Sequence, residues 1–284
     1  MNTHIELSHG ILSAAVNPLG AELTSLKSCN REYIWEGDPK IWGKHSPVLF
    51  PIVGALRNDS YLFEGNVFAM TRHGFARDNI FNLENQTADS ATFLLKANND
   101  TKIMYPFDFE LEMQYTLKDT ALHINYVVRN KSSKIMPFAL GAHPAFALPD
   151  KFNSYSLKFE KEEELISSAL ENNLISSTTQ THNTKDGVLP LDHNLFENDA
   201  LVFTSLESRA VDLMQGDKTI LRIVYEKFPH LGIWTKPKAP FICIEPWQGY
   251  ADVVNCSGNL IEKEGMLSLQ PGEEYSAEII IALN

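Results

Sequence analysis

An all-β fold of antiparallel strands is what this sequence predicts, on three observations. Apolar residues recur at every second position in run after run, which is the strand period. Helical periodicity is confined to one short stretch, so few short helices are expected. Turn-forming glycine and proline, 15 and 14 of them, are spread along the chain instead of gathering into a linker. No internal repeat or low-complexity tract divides the chain, and one domain over residues 1–284 is expected, since single all-β domains often reach this length.

The elements follow in order. YLFEGNVFAM, from Tyr61, places Gly65 between two short apolar runs and reads as a hairpin whose turn uses glycine's freedom at positive φ. FELEMQYTL puts Phe109, Leu111, Met113, Tyr115 and Leu117 on one face. After Lys118-Asp119-Thr120, LHINYVVR repeats the pattern with Leu122, Ile124, Tyr126 and Val128, which makes a second hairpin. SYSLKF at 154–159, TILRIVYE at 219–226 and YSAEIIIAL at 275–283 read as further strands. KEEELISSALE at 161–171 is the best helical candidate. Pattern alone leaves two packed sheets and a barrel both open.

Composition narrows the function. The 284 residues are 44% apolar and 21% charged, as in globular proteins, and the formal net charge is −12. An acidic chain argues against nucleic acid or an anionic membrane surface as partner. Three cysteines, none in a CxxC pair, read as reduced thiols and not as a disulfide framework or zinc site. No signal-peptide pattern and no membrane-length apolar run stands out. A cytoplasmic location is therefore expected.

Three segments carry polar residues where strand alternation would not put them. They are RHGFARD with Arg72, His73 and Arg77, LGAHPAF with His143 and Phe146, and FICIEPWQGYAD with Glu245, Trp247 and Asp252. Glu245 follows the apolar run Phe241–Ile244 and is expected at the end of a buried strand beside an indole. There desolvation would raise its pKa toward the range of a base working near neutral pH. A lone strand-end glutamate ordinarily just pairs with an arginine. Pro144 biases His143 toward extended backbone and so fixes the exit direction of the imidazole. Gly74, beside His73, permits close approach of a ligand or of backbone.

Taken together, two histidines and a glutamate flanked by aromatics suit acid–base chemistry on a sugar ring. Aromatics such as Phe146 and Trp247 cover C–H faces, while carboxylate, imidazole and guanidinium bond hydroxyls. The motifs of a serine nucleophile elbow, a phosphate loop and a dinucleotide turn are absent. Two histidines and a glutamate can also form a facial metal triad, although no closely spaced ligand pair supports one. A glycosidase needs a second carboxylate, for which Asp252 or Asp199 are candidates.

SPVLFPIVGALRNDSYLFEGNVFAMTRHGFARD, LGAHPAF and CIEPWQGYAD, with GAELTSLKS at 20–28 and LQPGEEYSAEIIIAL near the C-terminus, resemble the aldose 1-epimerase (galactose mutarotase-like) family in its LacX-like branch. The resemblance runs from about residue 10 to residue 283. It implies a supersandwich of two large antiparallel sheets with a sugar site on the concave side. It also implies an isomerase that interconverts α and β anomers of aldoses without cofactor or metal. By position in the motifs, Glu245 corresponds to the general base, His143 to the general acid, and His73 to a histidine holding the ring oxygen. Arg57 in GALRND and Asp199 in ENDALVF correspond to substrate-binding residues.

The chain departs from the branch pattern at Ala55, where arginine is common, and at Arg72, where glutamine is common. These departures bear on which sugar is bound. Arg72 and Arg77 suit either ion pairing with neighbours such as Asp78 or an anionic sugar, since related mutarotases act on hexose 6-phosphates. The expected partner is thus an aldohexose or a phosphorylated hexose, and the chain is expected to be a monomer or homodimer. A non-catalytic carbohydrate-binding or regulatory role on the same scaffold is the competing reading.

Overall fold

The computed structural model describes residues 4–284. Two large antiparallel sheets, of nine and eight strands, dominate it. The nine-stranded sheet runs from Val188–Pro190 at one edge to Asn82–Gln86 at the other, so it is open and does not close into a barrel. The principal hydrophobic cluster takes side chains from both sheets, for example Leu111, Leu157 and Ile279 from one and Leu231, Ile242 and Ile244 from the other. This is the expected sandwich. A four-stranded sheet of the first strands and two hairpin-sized ribbons complete it. Among the described residues no helix is long and apolar enough to cross a membrane.

Period-two alternation carries the larger sheet. Phe109–Lys118 pairs with Ala121–Asn130 in unbroken register, and all five predicted inward residues of the first strand are buried. Ser60–Phe63 and Asn66–Ala69 form the first predicted hairpin, with Glu64 and Gly65 both at positive φ in its turn (49° and 78°). Tyr155–Phe159, Lys218–Val224 and Glu274–Leu283 are strands as read.

The helical reading of 161–171 is overturned. Leu165–Glu171 is a strand, paired with Leu174–His182 around a turn in which Asn172 and Asn173 adopt positive φ. The acidic run before it stays outside the strand, where the Glu163 carboxylate accepts the N–H groups of Glu207 and Ser208. Cross-strand pairing outweighs the helix preference of a short run. The α-helix among the described residues is instead Asn99–Met104, closed by a capping box between Asn98 and Thr101.

The eight-stranded sheet carries the site. Its strand Phe241–Gln248 is buried on both faces. Ile242 and Ile244 enter the principal core, while Phe241, Cys243 and Trp247 belong to the smaller clusters on the opposite face. Glu245 falls in that second series by alternation. It lies within the strand and not at its end, as the sequence had suggested, because pairing to His230–Trp234 continues through Pro246 to Trp247. On the other side the neighbouring strand is interrupted. Leu140–Ala142 and Ala145–Ala147 both pair with Phe241–Gln248, and His143-Pro144 occupies the break.

Candidate active site

A cavity of about 290 Å³ opens on this face, lined by Trp42, Lys44, Arg72, His73, Arg77, His143, Asp199, Ala200, Trp234, Glu245 and Trp247. That volume is at the small end of the range for small-molecule sites, about 300–1,000 Å³. A larger hollow of about 630 Å³ beside Ala169–Glu171 and Val253–Asn255 is lined mainly by hydroxyl and aliphatic side chains and gathers no histidine.

Glu245 is 1% exposed and His143 8%. Their facing atoms, Oε2 and Nε2, are 3.3 Å apart. Glu245 Oε2 nevertheless closes no hydrogen bond, and neither do His143 Nδ1 and Trp247 Nε1. Unpartnered buried polar atoms are costly unless a ligand satisfies them. Burial pushes the Glu245 carboxyl well above its ordinary value, offset in part by Arg72 and reinforced by Asp199. Burial also takes the His143 imidazole down to about 3. Both shifts oppose charge, so the pair is best described as a unit holding one proton with no net charge.

Aromatic rings shape the walls. Trp42 stacks on His143 with centroids 5.0 Å apart, and Trp234 meets it edge-on at 5.9 Å. Trp247 lies across bare backbone: a Cβ on Gly232 would come within 2.5 Å of its ring, and one on Gly141 within 2.8 Å. Glycine at both positions is what lets the indole settle against the sheet.

His73 is held by a clamp between two loops. Its N–H donates to Gly54 O, its carbonyl accepts from Phe50 N–H, and Phe50 O accepts from both Phe75 and Ala76. His73 sits at φ 71° and Gly74 at φ 70°. Left-handed backbone at a non-glycine residue costs of the order of 1–3 kcal/mol and marks a constrained position. Gly74 is obligatory, since a Cβ there would lie 2.2 Å from Phe50 O.

The ring of His73 meets a donor at each nitrogen. Gly54 N–H donates to Nδ1 at 3.1 Å. Arg72 Nε donates to Nε2, also at 3.1 Å. A neutral imidazole accepts at one nitrogen only, so the backbone donor and the arginine compete for its lone pair. Burial, Arg72, His143 and Arg77 together hold the His73 pKa well below the usual histidine value.

The charged rim is cationic. Arg72 Nη1 donates to Asn173 Oδ1, and Arg77 Nη2 donates to Arg72 O. Asp78 lies 3.6 Å from Arg77 and 3.3 Å from Lys44. Asp199, at φ 82°, accepts Ala200 N–H with one carboxylate oxygen.

The cavity therefore brings together Glu245, His143, His73, Arg77, Asp199 and Trp247 from the residues expected by sequence. Two are displaced. Phe146 is fully buried in the principal core, facing away from the cavity, because the strand Ala145–Ala147 alternates from the turn at His143. Arg57 is outside the cavity. Its N–H is tied to Asp252 Oδ2 at 2.9 Å, and its guanidinium lies beside Gly258. Asp252 itself is committed to structure, 3.3 Å from the buried Lys263 ammonium, which removes it as a second catalytic carboxylate. Trp42, Trp234 and Lys44 were not foreseen, although a tryptophan in the polar, glycine-containing stretch KIWGKHS was a readable signal.

Comparison with known proteins identifies relatives of the whole chain. The family model described as Aldose 1-epimerase matches residues 3–282. The plasmid-borne protein LacX of Lactococcus lactis subsp. lactis is 37% identical over 276 residues, covering 91% of each chain. A galactose mutarotase related enzyme from Lactobacillus acidophilus superposes with a TM-score of 0.95 at 34% identity, covering 99% of this chain and 97% of that one. A galactose mutarotase-like protein from Lactobacillus casei ATCC 334 superposes with a TM-score of 0.93 at 30% identity, covering 99% and 100%.

Proposed function

The chain belongs to the aldose 1-epimerase family, and from that premise we propose that it is an isomerase interconverting the α and β anomers of a hexose by acid–base ring opening and reclosure. The observation that carries the reading is the buried Glu245–His143 pair, 3.3 Å apart, with Glu245 Oε2 and His143 Nδ1 closing no hydrogen bond, beside a sugar-sized cavity.

The chemistry follows from that pair. With the pair's one proton on His143, Glu245 takes the proton of the anomeric hydroxyl while His143 delivers its own to the ring oxygen. The C1–O5 bond breaks and leaves an open aldehyde. Rotation about C1–C2 presents the other carbonyl face, and reclosure reverses both transfers. A pair that keeps one proton over the cycle is restored at the end. Each positioned acid or base contributes about 10²–10⁴-fold. His73, through its Nε2–H, holds the ring oxygen. Trp247 and Trp42 cover C–H faces, and Asp199 accepts from a hydroxyl. The side chains named supply every proton moved, so the scheme needs no cofactor.

A second reading concerns the sugar. Lys44, Arg72 and Arg77 line the cavity of a chain whose net charge is −12. This local reversal of sign favours a phosphorylated hexose, which guanidinium groups bind well.

Polarimetry on freshly dissolved α-D-glucose, α-D-galactose and their 6-phosphates, with and without chelator, tests the proposal. Faster relaxation that survives chelator supports it, and a preference for the phosphates supports the second reading. Sugar binding without acceleration would make the chain a carbohydrate-binding protein instead.

A further inference from the structure

Cys243 has no part in the proposed reaction, yet it lies fully buried directly beside the acid–base pair. One donor atom from each of Cys243, His143 and Glu245 can be chosen so that all three lie within 4.8 Å of one another. We infer that these three side chains form a binding site for a soft divalent metal ion, of the zinc or cadmium class, whose occupation shuts down the site.

Geometry supports this first. Zinc holds nitrogen and oxygen ligands at about 2.0–2.1 Å, so a tetrahedral edge between two of them is about 3.3 Å. His143 Nε2 and Glu245 Oε2 are 3.3 Å apart without closing a hydrogen bond. Glu245 Oε2 is the unpartnered, buried acceptor that such an ion would meet. Thiolate, imidazole and carboxylate together are a donor set typical of zinc.

Charge balance supports it as well. A divalent ion, one thiolate, one carboxylate and a neutral imidazole sum to zero, the condition for leaving water at low cost. Burial and Glu245 push the free Cys243 thiol well up, so it is protonated until a metal displaces its proton to solvent. The bound ion takes up the Glu245 lone pair and the imidazole nitrogen, and the one proton of that pair leaves to solvent with the thiol's. The loss of activity rests on the proposed function, whereas the binding itself does not.

The test uses cadmium and the full chain with Cys29 and Cys256 replaced by serine, since those are the other free thiols. Addition of Cd²⁺ should give a thiolate-to-cadmium charge-transfer band in the ultraviolet, saturating at one ion per chain. Adding Cys243→Ala, or Cys243→Ser where alanine impairs folding, should abolish the band. Calorimetric affinity should fall by more than the roughly 10–100-fold that loss of an outer-shell partner costs. Cd²⁺ should stop mutarotation in the Cys29→Ser/Cys256→Ser protein and leave the Cys243→Ala version active. Absence of the band in the folded Cys29→Ser/Cys256→Ser protein, or its persistence without Cys243, would overturn the inference. So would full activity with the metal bound. A chain that shows the band but never mutarotates would sink the proposed function while leaving the metal site standing.

Discussion

Glu245 Oε2 lies 3.3 Å from His143 Nε2, both groups buried, and the contact is not aligned as a hydrogen bond. A carboxyl raised by burial and an imidazole lowered by burial share a single proton across the intervening pH range. The sign follows directly. Acid adds a second proton to the pair only near the lowered histidine value, and alkali removes the last one only well above the ordinary carboxylate range. The profile of kcat/KM should therefore hold its plateau through pH 6.5 and fall on the acid side toward about 3. An acid limb at the ordinary histidine value, about 6.5, would show that His143 titrates as an exposed imidazole.

The Trp247 platform depends on Gly232. A methyl group there would sit 2.5 Å from the indole and displace it. Gly232→Ala should raise KM at least about tenfold, or about 1.4 kcal/mol of binding. It should also cost about 1–3 kcal/mol of stability, as overpacking does. Sugar titrations and chemical denaturation read the two effects separately, and unchanged KM would show that the ring does not carry the substrate.

His73 should appear by nitrogen NMR as the Nε2–H tautomer, with the fixed backbone N–H of Gly54 holding Nδ1 against the competing Arg72 side chain at Nε2. It should also stay neutral well below the usual histidine titration. A hydrogen on Nδ1, or titration near 6.5, would remove it as a donor to the ring oxygen.

Arg57 and Arg77 separate the two sides of the molecule. Arg57→Ala should change kcat/KM by no more than about twofold, as at a surface position. Arg77→Ala should raise KM about 10–100-fold, as expected for losing a hydrogen bond from a charged group. The reverse ranking would restore Arg57 to the substrate and place the cavity elsewhere.

Much of this was legible in the sequence. Strand alternation at 109–130 and 275–283 depends only on local burial, and the structure follows it closely. His73, His143 and Glu245 stood out because each interrupts an apolar or turn pattern without a local structural need. What failed depended on contacts distant in the chain. Leu165–Glu171 reads as a helix until its partner strand is known. Arg57 is turned from the cavity by a backbone bond to Asp252, 195 positions away. Phe146 changes face because the turn at His143-Pro144 resets the alternation, and no single-sequence pattern records that reset.

The central claim is that the buried Glu245–His143 pair moves the protons of ring opening. Polarimetric turnover of the Glu245→Gln protein against wild type, on whichever α-aldose wild type accelerates, tests it most directly. The amide keeps the shape and cannot accept the anomeric proton, so kcat should fall at least about a hundredfold with the fold intact. Turnover near wild type in a folded Glu245→Gln protein would contradict the account.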